Sequence, residues 1–550
     1  MTAHFVNDPA DVVTDALDGV VAGAGAGALA RLDGYPDVKV VLRADWSRDR
    51  VAVVSGGGAG HEPAHAGFVG PGLLTAAVSG EVFASPSVDA VLAAVLAVTG
   101  APGCLLVVKN YTGDRLNFGL AAERARATGL RIEVVVVGDD VAIQDTATPR
   151  GLAGTLLVHK AAGALAESGA PLSEVVAVAR RVAGGVRSLG VSTSTADIPG
   201  RESESRFAAG EAELGLGIHG EPGVETFTLG ASSDLVERMA SSLADSLDRE
   251  GGAAGADVVL LVNNLGGVAP LETAVVLRDL LRTPLGRRAR LLVGPAGLMT
   301  SLSMRGFSVS ALVLDGELTK ALLAPVAGFT AWPGTIELST GLTVPMLPVP
   351  KLREASTVPA SADPAVRAAV VAVAESLVGA QQALDSLDAR TGDGDTGSTF
   401  AGAARRVLAE LDELPLAQRS ALFGRLSDLL GSAMGGSSGV LLSILFAAAG
   451  SVGDEAPLAD ALEAGVQAVQ THGGAAEGDR TMLDALVPAV RALRTGGVTA
   501  AADAARMGAD ATAAMEKAGA GRAAYVGAQH LRGVVDPGAE AVSTVFAALR

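Results

Sequence analysis

The sequence predicts an α/β region followed by an all-helical region. Through the first part of the chain, short runs of β-favouring apolar residues end in glycine-rich loops and alternate with stretches of helical composition. After Pro364 the strand-like runs stop and only helical segments remain. The intervening residues are rich in proline, serine and alanine and lack a hydrophobic period, which is typical of a linker. We therefore predict domains at residues 1–345 and 365–550, joined by a linker at 346–364.

The composition indicates a folded protein with an acidic surface. The chain has 550 residues, of which 49% are hydrophobic, and its formal net charge is −18. This charge disfavours non-specific binding to nucleic acid, and a phosphate-bearing ligand would need metal ions or backbone N–H groups around it. The longest apolar run, Gly439–Ala449, is shorter than the roughly 20 residues of a membrane-spanning helix. We expect neither nucleic acid nor a membrane as a partner.

The cysteine content favours a reducing compartment. Cys104 is the only cysteine and lies in the apolar run GCLLVV, where a buried structural thiol is expected. No disulfide can form within one chain, and the N-terminal residues lack the pattern of a secretory signal. These features predict a cytoplasmic protein.

Three apolar runs predict strands in the first part of the α/β region. The first, Val51–Val54, runs into a glycine cluster that includes Gly57 and Gly58 but does not have the G-x-G-x-x-G spacing of a dinucleotide-binding loop. The second run, Leu105–Lys109, is followed by Asp114, which is expected at the carboxyl edge of a sheet, where α/β proteins bind ligands. A turn-forming aspartate is the alternative at that position. Further strands are predicted at 132–140, 256–267, 289–297 and 304–315, and the alternation favours two α/β layers with mainly parallel or mixed sheets.

Two histidine motifs are candidates for chemistry. The segment from His61 to His65 matches the H-E-x-x-H pattern of zinc sites, but Pro63 disfavours the single helix that such a site needs. His219 lies between Gly217 and Gly220 in GLGIHGEPG, so its side chain has little cover from its neighbours. A neutral imidazole there can act as a base or a nucleophile near pH 7, although a plain loop histidine remains the alternative.

The helical region carries a cluster of aspartates in LDARTGDGDTGSTF. Asp388, Asp393 and Asp395 are separated by small residues that let the backbone turn sharply, so their carboxylates can converge. Converging carboxylates repel one another unless a hard cation such as Mg²⁺ lies among them, and Mg²⁺ in proteins often carries substrate phosphates. An acidic surface turn is the alternative. Helices are predicted at 365–387, 401–414, 416–434, 439–449, 458–471, 481–494 and 498–518.

A second glycine-rich element, MGGSSGV, opens one of these helices. The free backbone N–H groups at its start, with Gly436, Ser437 and Ser438, are suited to holding a phosphate, although such a helix start also occurs without a ligand. The chain contains no Gly-Lys dipeptide and hence no Walker A motif. Any nucleotide would be bound in another way.

Taken together, these motifs make the sequence resemble the ATP-dependent dihydroxyacetone kinase family in its single-chain form. In the first domain the resemblance rests on SGGGAGHEPAHAGFVG (55–70), KNYTGD (109–114), GLGIHGEPG (215–223) and LVNNLGG (261–267). In the second it rests on the aspartate motif (387–400), MGGSSGV (434–440), GDRTMLDAL (478–486), GRAAY (521–525) and DPGA (536–539). Their order and spacing extend over nearly the whole chain.

For the first domain the resemblance implies a ketone site. His219 matches the histidine that forms a covalent hemiaminal with the carbonyl carbon of the substrate, which selects short ketones or aldehydes over polyols. Asp114 matches the general base at the hydroxyl to be phosphorylated, assisted by His61. Gly57, Gly58 and Lys109 would contact the substrate. The resemblance also implies a homodimer formed through the N-terminal domains.

For the second domain the resemblance implies an antiparallel helical barrel that carries ATP. Asp388, Asp393 and Asp395 match aspartates that hold two Mg²⁺ ions among the phosphates, which supplies the charge neutralisation that phosphoryl transfer needs. Further positions match residues at the nucleotide: Thr396, Gly436, Ser437, Ser438, Met482, Arg522, Asp536 and Gly538. Because both domains lie in one chain, free ATP is favoured as the donor over a phosphocarrier protein.

Three alternatives remain open beside dihydroxyacetone kinase activity. The first is a kinase for a related short carbonyl compound such as erythrulose or glyceraldehyde, with 191–206 a candidate for shaping the pocket. Animal relatives also split FAD into cyclic FMN, which is a lyase-class alternative for the nucleotide domain. A non-catalytic regulator is disfavoured because the motif histidines and aspartates are all present.

Overall fold

The computed structural model describes residues 4–143, 148–201, 206–249, 255–328, 330–339, 342–350 and 358–550. The chain forms two compact units, Met1–Leu347 and Pro348–Arg550. Part of the predicted linker, residues 351–357, lies outside the described residues. In the described parts of the chain, no helix combines the length and the apolar composition needed to cross a membrane.

The first unit begins with a mixed six-stranded sheet in the order β1-β2-β4-β3-β5-β6. Strands β4, β3, β5 and β6 are parallel, and β1 and β2 add an antiparallel edge. The elements are α1 (Val12–Gly23), β1 (Leu29–Arg31), β2 (Lys39–Arg43), β3 (Ala52–Ala59), β4 (Ala76–Val82), α2 (Val88–Val98), β5 (Cys104–Lys109), α3 (Thr112–Ala127) and β6 (Ile132–Val137). The apolar runs predicted as the first three strands are β3, β5 and β6.

A second, seven-stranded sheet has the order β13-β11-β10-β12-β7-β8-β9. Among the described residues the one parallel pair in this sheet is β10 with β11, whose connection is helical, as a parallel pair requires. Its elements are α4 (Thr155–Glu167), α5 (Leu172–Gly185), β7 (Arg187–Ser192), β8 (Glu211–Leu214), β9 (Glu225–Thr228), α6 (Ser232–Arg249), β10 (Val258–Asn264), α7 (Pro270–Arg282), α8 (Pro284–Arg287), β11 (Ala289–Ala296), β12 (Gly306–Val313), α9 (Gly316–Leu323) and β13 (Thr335–Glu337).

The two sheets share a central hydrophobic core. Helices α4 and α5 pack between them, so one cluster of buried side chains joins Leu105 of the first sheet, Leu157 of α4 and Leu261 of the second sheet. The outer face of the first sheet is covered by α2 and α3, and that of the second by α6 and α7. This layering buries both faces of the central strands and leaves their ends for the functional loops.

The second unit is all-helical. Its helices are α10 (Pro364–Gly379), α11 (Gln381–Asp388), α12 (Thr396–Ala409), α13 (Arg419–Ala433), α14 (Gly436–Ser451), α15 (Leu458–Gly473), α16 (Leu483–Thr512), α17 (Ala528–Leu531) and α18 (Pro537–Ala548). Gly497, with φ of 69°, breaks α16 into two arms, and Gly508 of the second arm lies against Asp484 and Ala485 of the first. The predicted helix at 365–387 is two helices, and α18 has no counterpart among the predicted ones.

The helices of the second unit close into a ring. Helix α10 packs on α12, and contacts then continue through α13, α14, α15, α16 and α18 back to α10. Packed neighbours joined by short connections run antiparallel, so alternate helices begin at the same end of the ring. When the two arms of α16 are counted separately, the starts of α12, α14, α16 and α18 lie at one end, which is where the motif residues of this unit occur. The predicted fold class, an α/β region followed by an antiparallel helical barrel, is confirmed.

Candidate active site

In the first unit, the candidate site forms where strands β3 and β5 end side by side. Ser55 of β3 pairs in register with Val107 of β5, so the glycines in the second half of β3 lie beside Lys109 at the end of β5 and Asp114 in the first turn of α3. A β-carbon on Gly57 would lie 2.5 Å from Lys109 Nζ and 3.5 Å from Asp114 Oδ2. The glycine thus leaves open a small space that these two side chains flank. One on Gly58 would lie 2.7 Å from the backbone nitrogen of Ala84, so that position also requires glycine.

His61 is buried beside this space as a neutral hydrogen-bond acceptor. Its Nδ1 lies 2.8 Å from the carbonyl oxygen of Thr300, so Nδ1 carries the proton and donates it. Its Nε2 is buried and has no hydrogen-bond partner among the described residues. Burial, together with the nearby charges of His219 and Lys109, lowers the pKa of His61 well below its usual value. The ring therefore offers a free lone pair to a ligand hydroxyl.

His219 is half-buried among aromatic rings. Ring centroids of Tyr111, His61 and Phe83 lie 4.5, 4.8 and 5.5 Å from that of His219, each in an edge-on arrangement. Its Nδ1 lies 3.0 Å from Glu221 Oε1, and because a carboxylate only accepts, Nδ1 carries the proton. The lone pair is then on Nε2, the atom suited to attack a carbonyl carbon.

Glu221 is a site residue that the sequence reasoning missed. Its Oε2 also accepts the backbone N–H of His219 at 3.0 Å, so one carboxylate holds both the backbone and the ring of the histidine. Burial raises the pKa of Glu221, but the hydrogen bond from His219 and the charge of that ring outweigh burial and lower it below its usual value. The signal was local, a glutamate two residues after the histidine in the motif HGE.

Lys109 and Asp114 are both buried, and each can still form a further hydrogen bond. Lys109 Nζ lies 2.8 Å from His65 Nε2 and 3.4 Å from the carbonyl oxygen of Gly56. Burial lowers the pKa of Lys109, while the carboxylates of Asp114 and Asp139 act in the opposite direction. Asp114 Oδ1 has no hydrogen-bond partner among the described residues. The ammonium group of Lys109 and Oδ2 of Asp114 therefore flank the same small space, and Oδ1 of that carboxylate is the oxygen without a partner.

The H-E-x-x-H match does not form a zinc site. The segment from His61 to His65 is not helical, and the two histidines already use one nitrogen each on Thr300 and Lys109. The histidines instead belong to the site around Gly57. A nucleophilic imidazole, a neutral imidazole acceptor, a carboxylate and an ammonium group together suit a small compound with a carbonyl and a hydroxyl group.

In the second unit, the three aspartates converge as the sequence predicts. One oxygen from each of Asp388, Asp393 and Asp395 lies within 4.8 Å of the others, and no other group of three or more such side chains does so within the described ranges. Asp388, at the end of α11, is buried, and its Oδ2 accepts the backbone N–H groups of Gly394, Asp395 and Thr396 at 3.0–3.1 Å. This carboxylate folds the loop, while Asp393 and Asp395 stay exposed.

A cation from the chain itself lies at this cluster. Arg522 forms an ion pair with Asp393, and its Nη1 is 3.9 Å from Asp395. The guanidinium meets the need of the carboxylates for positive charge, and the hard oxygen donors fit Mg²⁺. A side chain on Gly392 would collide with Asp388 Oδ1, so the loop requires glycine there.

The other predicted nucleotide residues lie on loops at the same end of the ring. Helix α14 starts at Gly436 without a side-chain cap, and Ser437 in its first turn is exposed, so free backbone N–H groups are available there. Met482 and Gly538 are neighbours, because a β-carbon on Gly538 would lie 3.3 Å from Met482 Cβ. The loop that carries Arg522 is tied to the GDRTM loop by a backbone hydrogen bond from Gly519 to Asp479.

Two buried polar residues support these loops. Asp536 is the N-cap of α18 and accepts the backbone N–H of Ala539 at 2.9 Å; burial raises its pKa to about 6. Its side chain is thus already engaged as a helix cap. Arg480, which the sequence reasoning missed, is fully buried, donates to the carbonyl oxygen of Val534 at 2.8 Å and so joins the GDRTM loop to the segment before Asp536.

Comparison with known proteins places these two units together in one family. Residues 25–329 match the Dak1 domain and residues 390–550 match the DAK2 domain. The chain is 45% identical to the dihydroxyacetone kinase of Citrobacter freundii over 100% of this chain and 99% of that one. It is 42% identical to a putative 3,4-dihydroxy-2-butanone kinase of Solanum lycopersicum and 41% to the triokinase/FMN cyclase of Rattus norvegicus, each over 99% of this chain and 97–98% of the relative.

Solved structures agree with this comparison. The crystal structure of the Citrobacter freundii dihydroxyacetone kinase in complex with AMP-PNP and Mg²⁺ has a TM-score of 0.69 at 44% identity and covers 100% of this chain and 99% of that one. The native form of that enzyme gives the same values. The chain belongs to the ATP-dependent dihydroxyacetone kinase family, in the form that carries both domains in one chain. The resemblance stated from the motifs is confirmed.

Proposed function

We propose that the protein phosphorylates dihydroxyacetone with ATP and Mg²⁺ to give dihydroxyacetone phosphate. The observation that carries this proposal is the hydrogen bond between His219 Nδ1 and Glu221, which leaves the lone pair of His219 Nε2 free beside the neutral His61. A nucleophile of this kind favours a carbonyl compound as substrate. The identity to the Citrobacter enzyme over the full chain supports dihydroxyacetone in particular.

In the first step His219 captures the ketone. Its Nε2 lone pair forms a bond to the carbonyl carbon, the π electrons move to the oxygen, and that oxygen takes a proton from water, which gives a hemiaminal. The imidazole ring then carries a positive charge, and the Glu221 carboxylate beside Nδ1 stabilises it. Glycerol lacks the carbonyl group and cannot form this bond, which explains a preference for ketones.

In the second step the substrate hydroxyl becomes the nucleophile. Asp114 accepts the hydroxyl proton as general base, and His61, whose ring is neutral and whose Nε2 has no other partner among the described residues, assists it beside the same hydroxyl. The hydroxyl oxygen then bonds to the γ-phosphorus of ATP while the bond to the β-phosphate oxygen breaks. Lys109 Nζ, on the other side of the space over Gly57, opposes the negative charge that develops.

The second unit supplies the nucleotide site in this proposal. Asp388, Asp393 and Asp395 would hold two Mg²⁺ ions, which neutralise phosphate charge when bound. The start of α14 would hold phosphate oxygens through its backbone N–H groups with Gly436, Ser437 and Ser438. The remaining predicted nucleotide residues would line the same end of the ring: Thr396, Met482, Arg522, Asp536 and Gly538.

The experiment that tests this proposal is ATP consumption with Mg²⁺ on dihydroxyacetone, both erythruloses, glyceraldehyde and glycerol, for the wild type and for His219→Ala. We expect preference for dihydroxyacetone, no turnover of glycerol, and loss of ketone saturation in the variant with nucleotide binding retained. Unchanged ketone saturation in His219→Ala would contradict the hemiaminal.

The same panel separates the second candidate, a kinase for a four-carbon ketose. The relative named as a putative 3,4-dihydroxy-2-butanone kinase supports this candidate. Part of the segment proposed to shape the pocket, residues 202–205, lies outside the described residues. The triokinase/FMN cyclase relatives support an assay for cyclic FMN from FAD as a further control. A cytoplasmic location and a homodimer through the first unit stay predictions.

A further inference from the structure

A cluster of buried polar side chains lies beside the glycines of β3, and the proposed mechanism uses only one of its members. We call it the polar cluster; it consists of Ser55, His65, Lys109 and His159, and each is at most 3% exposed. Burying polar groups so deeply destabilises the fold unless they form hydrogen bonds, so the partners of these four side chains are informative.

The hydrogen bonds of the cluster have assignable directions. Ser55 Oγ donates to the carbonyl oxygen of Val107 at 2.7 Å, so His159 Nε2, 3.0 Å from Ser55 Oγ, is the donor to it. An ammonium group has no acceptor, so at 2.8 Å Lys109 Nζ donates to His65 Nε2. The proton of His65 is then on Nδ1.

The lysine has few other partners. Its second contact, to the carbonyl oxygen of Gly56, is long at 3.4 Å. Beyond it lies the space over Gly57, where a β-carbon would be 2.5 Å from Nζ and 3.5 Å from Asp114 Oδ2. With one ammonium proton held by His65 and another shared with Gly56, the ammonium group keeps a proton for a ligand that lies beside Gly57.

We propose that His65 is a positioning residue for Lys109: its Nε2 accepts one ammonium proton and so keeps the lysine charged and turned toward the substrate hydroxyl beside Asp114. The inference rests on the proposed function, because it assigns the orientation of Lys109 in phosphoryl transfer. His65 itself does not touch the reacting atoms.

Because Lys109 is buried, its hydrogen bond to His65 is important for keeping the lysine protonated. Burial lowers the pKa of Lys109, and His61, His65 and His159 all lie close enough to feel the charge of the lysine. Asp114 and Asp139 oppose that lowering. Removing the acceptor on His65 would disfavour the ammonium form further, since among the described residues the remaining hydrogen bond of Lys109 Nζ is the long one to Gly56.

The first measurement is the titration of Lys109 in the full-length protein without substrate. The chain has six lysines, so selective ¹³C labelling at lysine Cε gives a readable spectrum, and Lys109→Arg assigns the signal. In His65→Leu we expect the midpoint of Lys109 to fall by about one unit or more, because a hydrogen bond to a charged group changes such an equilibrium about tenfold or more. Lys160, buried on α4 and bound to the carbonyl oxygen of Ala321, is the internal control and should not move.

Two amide variants test whether the hydrogen-bond acceptor at position 65 matters, as opposed to the volume of the side chain. In His65→Gln the side-chain oxygen reaches the position of Nε2, whereas in His65→Asn it reaches only that of Nδ1. We expect Gln to keep the Lys109 midpoint near that of the wild type and Asn to resemble Leu. If Leu does not fold, the comparison of Gln with Asn carries the test.

The second measurement is the kinetics of the same variants with dihydroxyacetone and ATP–Mg²⁺. Because the ammonium acts on charge that develops in transfer, His65→Leu and His65→Asn should lose about tenfold or more in kcat with less than about threefold change in KM for the ketone. The basic limb of the pH profile should move to lower pH, and His65→Gln should restore most of kcat.

The outcomes separate this inference from the proposed function. An unchanged Lys109 midpoint in His65→Leu, equal damage in Gln and Asn, or an effect confined to KM would overturn the role of His65. A wild-type protein that turns over no carbonyl compound would instead refute the proposed function, whatever the lysine titration shows.

Discussion

Glu221 holds His219 at two points: Oε1 lies 3.0 Å from the ring Nδ1 and Oε2 lies 3.0 Å from the backbone nitrogen. The two residues are separated only by Gly220, whose φ of 81° allows the chain to fold back on itself. The carboxylate therefore selects the tautomer that leaves Nε2 free. Nucleophile and orienting group are a single local unit on one loop.

Glu221→Ala is expected to weaken ketone capture. Loss of a hydrogen bond to a charged group costs about 1.5–3 kcal/mol, so the dissociation constant for dihydroxyacetone should rise about tenfold to a hundredfold. The measurement is ¹³C NMR of ketone labelled at the carbonyl carbon, whose signal changes when the carbon becomes tetrahedral. Glu221→Gln keeps an acceptor for Nδ1 and should lose less; equal binding in Ala and wild type would refute the orienting role.

Asp393→Ala is expected to abolish turnover with Mg²⁺–ATP, because it removes one of three converging carboxylates. Calorimetric titration of the full-length protein with Mg²⁺ should show the matching loss of metal binding. The control is Asp385→Asn, since Asp385 binds the backbone and hydroxyl of Ser398 and lies outside the cluster. Full activity in Asp393→Ala would show that this loop does not hold the catalytic metal ion.

Arg522→Gln is expected to strengthen binding of Mg²⁺ in the absence of nucleotide. The guanidinium pairs with Asp393 and lies near Asp395, so a metal ion must displace it. Exposed ion pairs are worth up to about 1 kcal/mol, which corresponds to a gain of up to about fivefold in metal affinity. Arg532→Gln is the matched control, because Arg532 pairs with Glu516 on the same loop. Weaker metal binding in Arg522→Gln would contradict this competition.

Asp536→Asn is expected to change how the stability of the second unit depends on pH. Burial raises the pKa of Asp536 from 3.8 in the unfolded chain to about 6, so the folded state holds the proton more tightly. The tighter binding of this proton adds about 3 kcal/mol to the free energy of unfolding. This stabilisation is complete below about pH 4 and is lost as pH rises through about 6. Asparagine remains a good N-cap but does not ionise, so the variant should gain stability over the wild type across that interval.

Urea unfolding between pH 4 and 7 measures this effect. Both tryptophans, Trp46 and Trp332, lie in the first unit, so their fluorescence follows that unit while far-UV ellipticity follows both. The partly exposed N-cap of α10, Asp363, provides the control Asp363→Asn. Parallel pH profiles for the wild type and Asp536→Asn would contradict the prediction.

The sequence by itself determined the succession of elements and the loops that carry chemistry. The apolar runs at 51–54 and 105–109 correspond to β3 and β5, and the convergence of Asp388, Asp393 and Asp395 followed from the small residues between them. These features depend on residues close together in the chain, so local pattern contains them. The motifs also sufficed to identify the family, which the comparisons confirm.

Only the tertiary structure decided which atoms of these residues are free. His61 donates to Thr300, 239 positions away, and Lys109 donates to His65, 44 positions away, so neither proton position can be read from the neighbouring sequence. The closure of the helices into a ring and the burial of Arg480 likewise depend on partners distant in the chain. Hydrogen bonding and burial depend on which residues the fold brings together. They decide whether a histidine acts as a nucleophile or as a hydrogen-bond acceptor, and whether a lysine is charged.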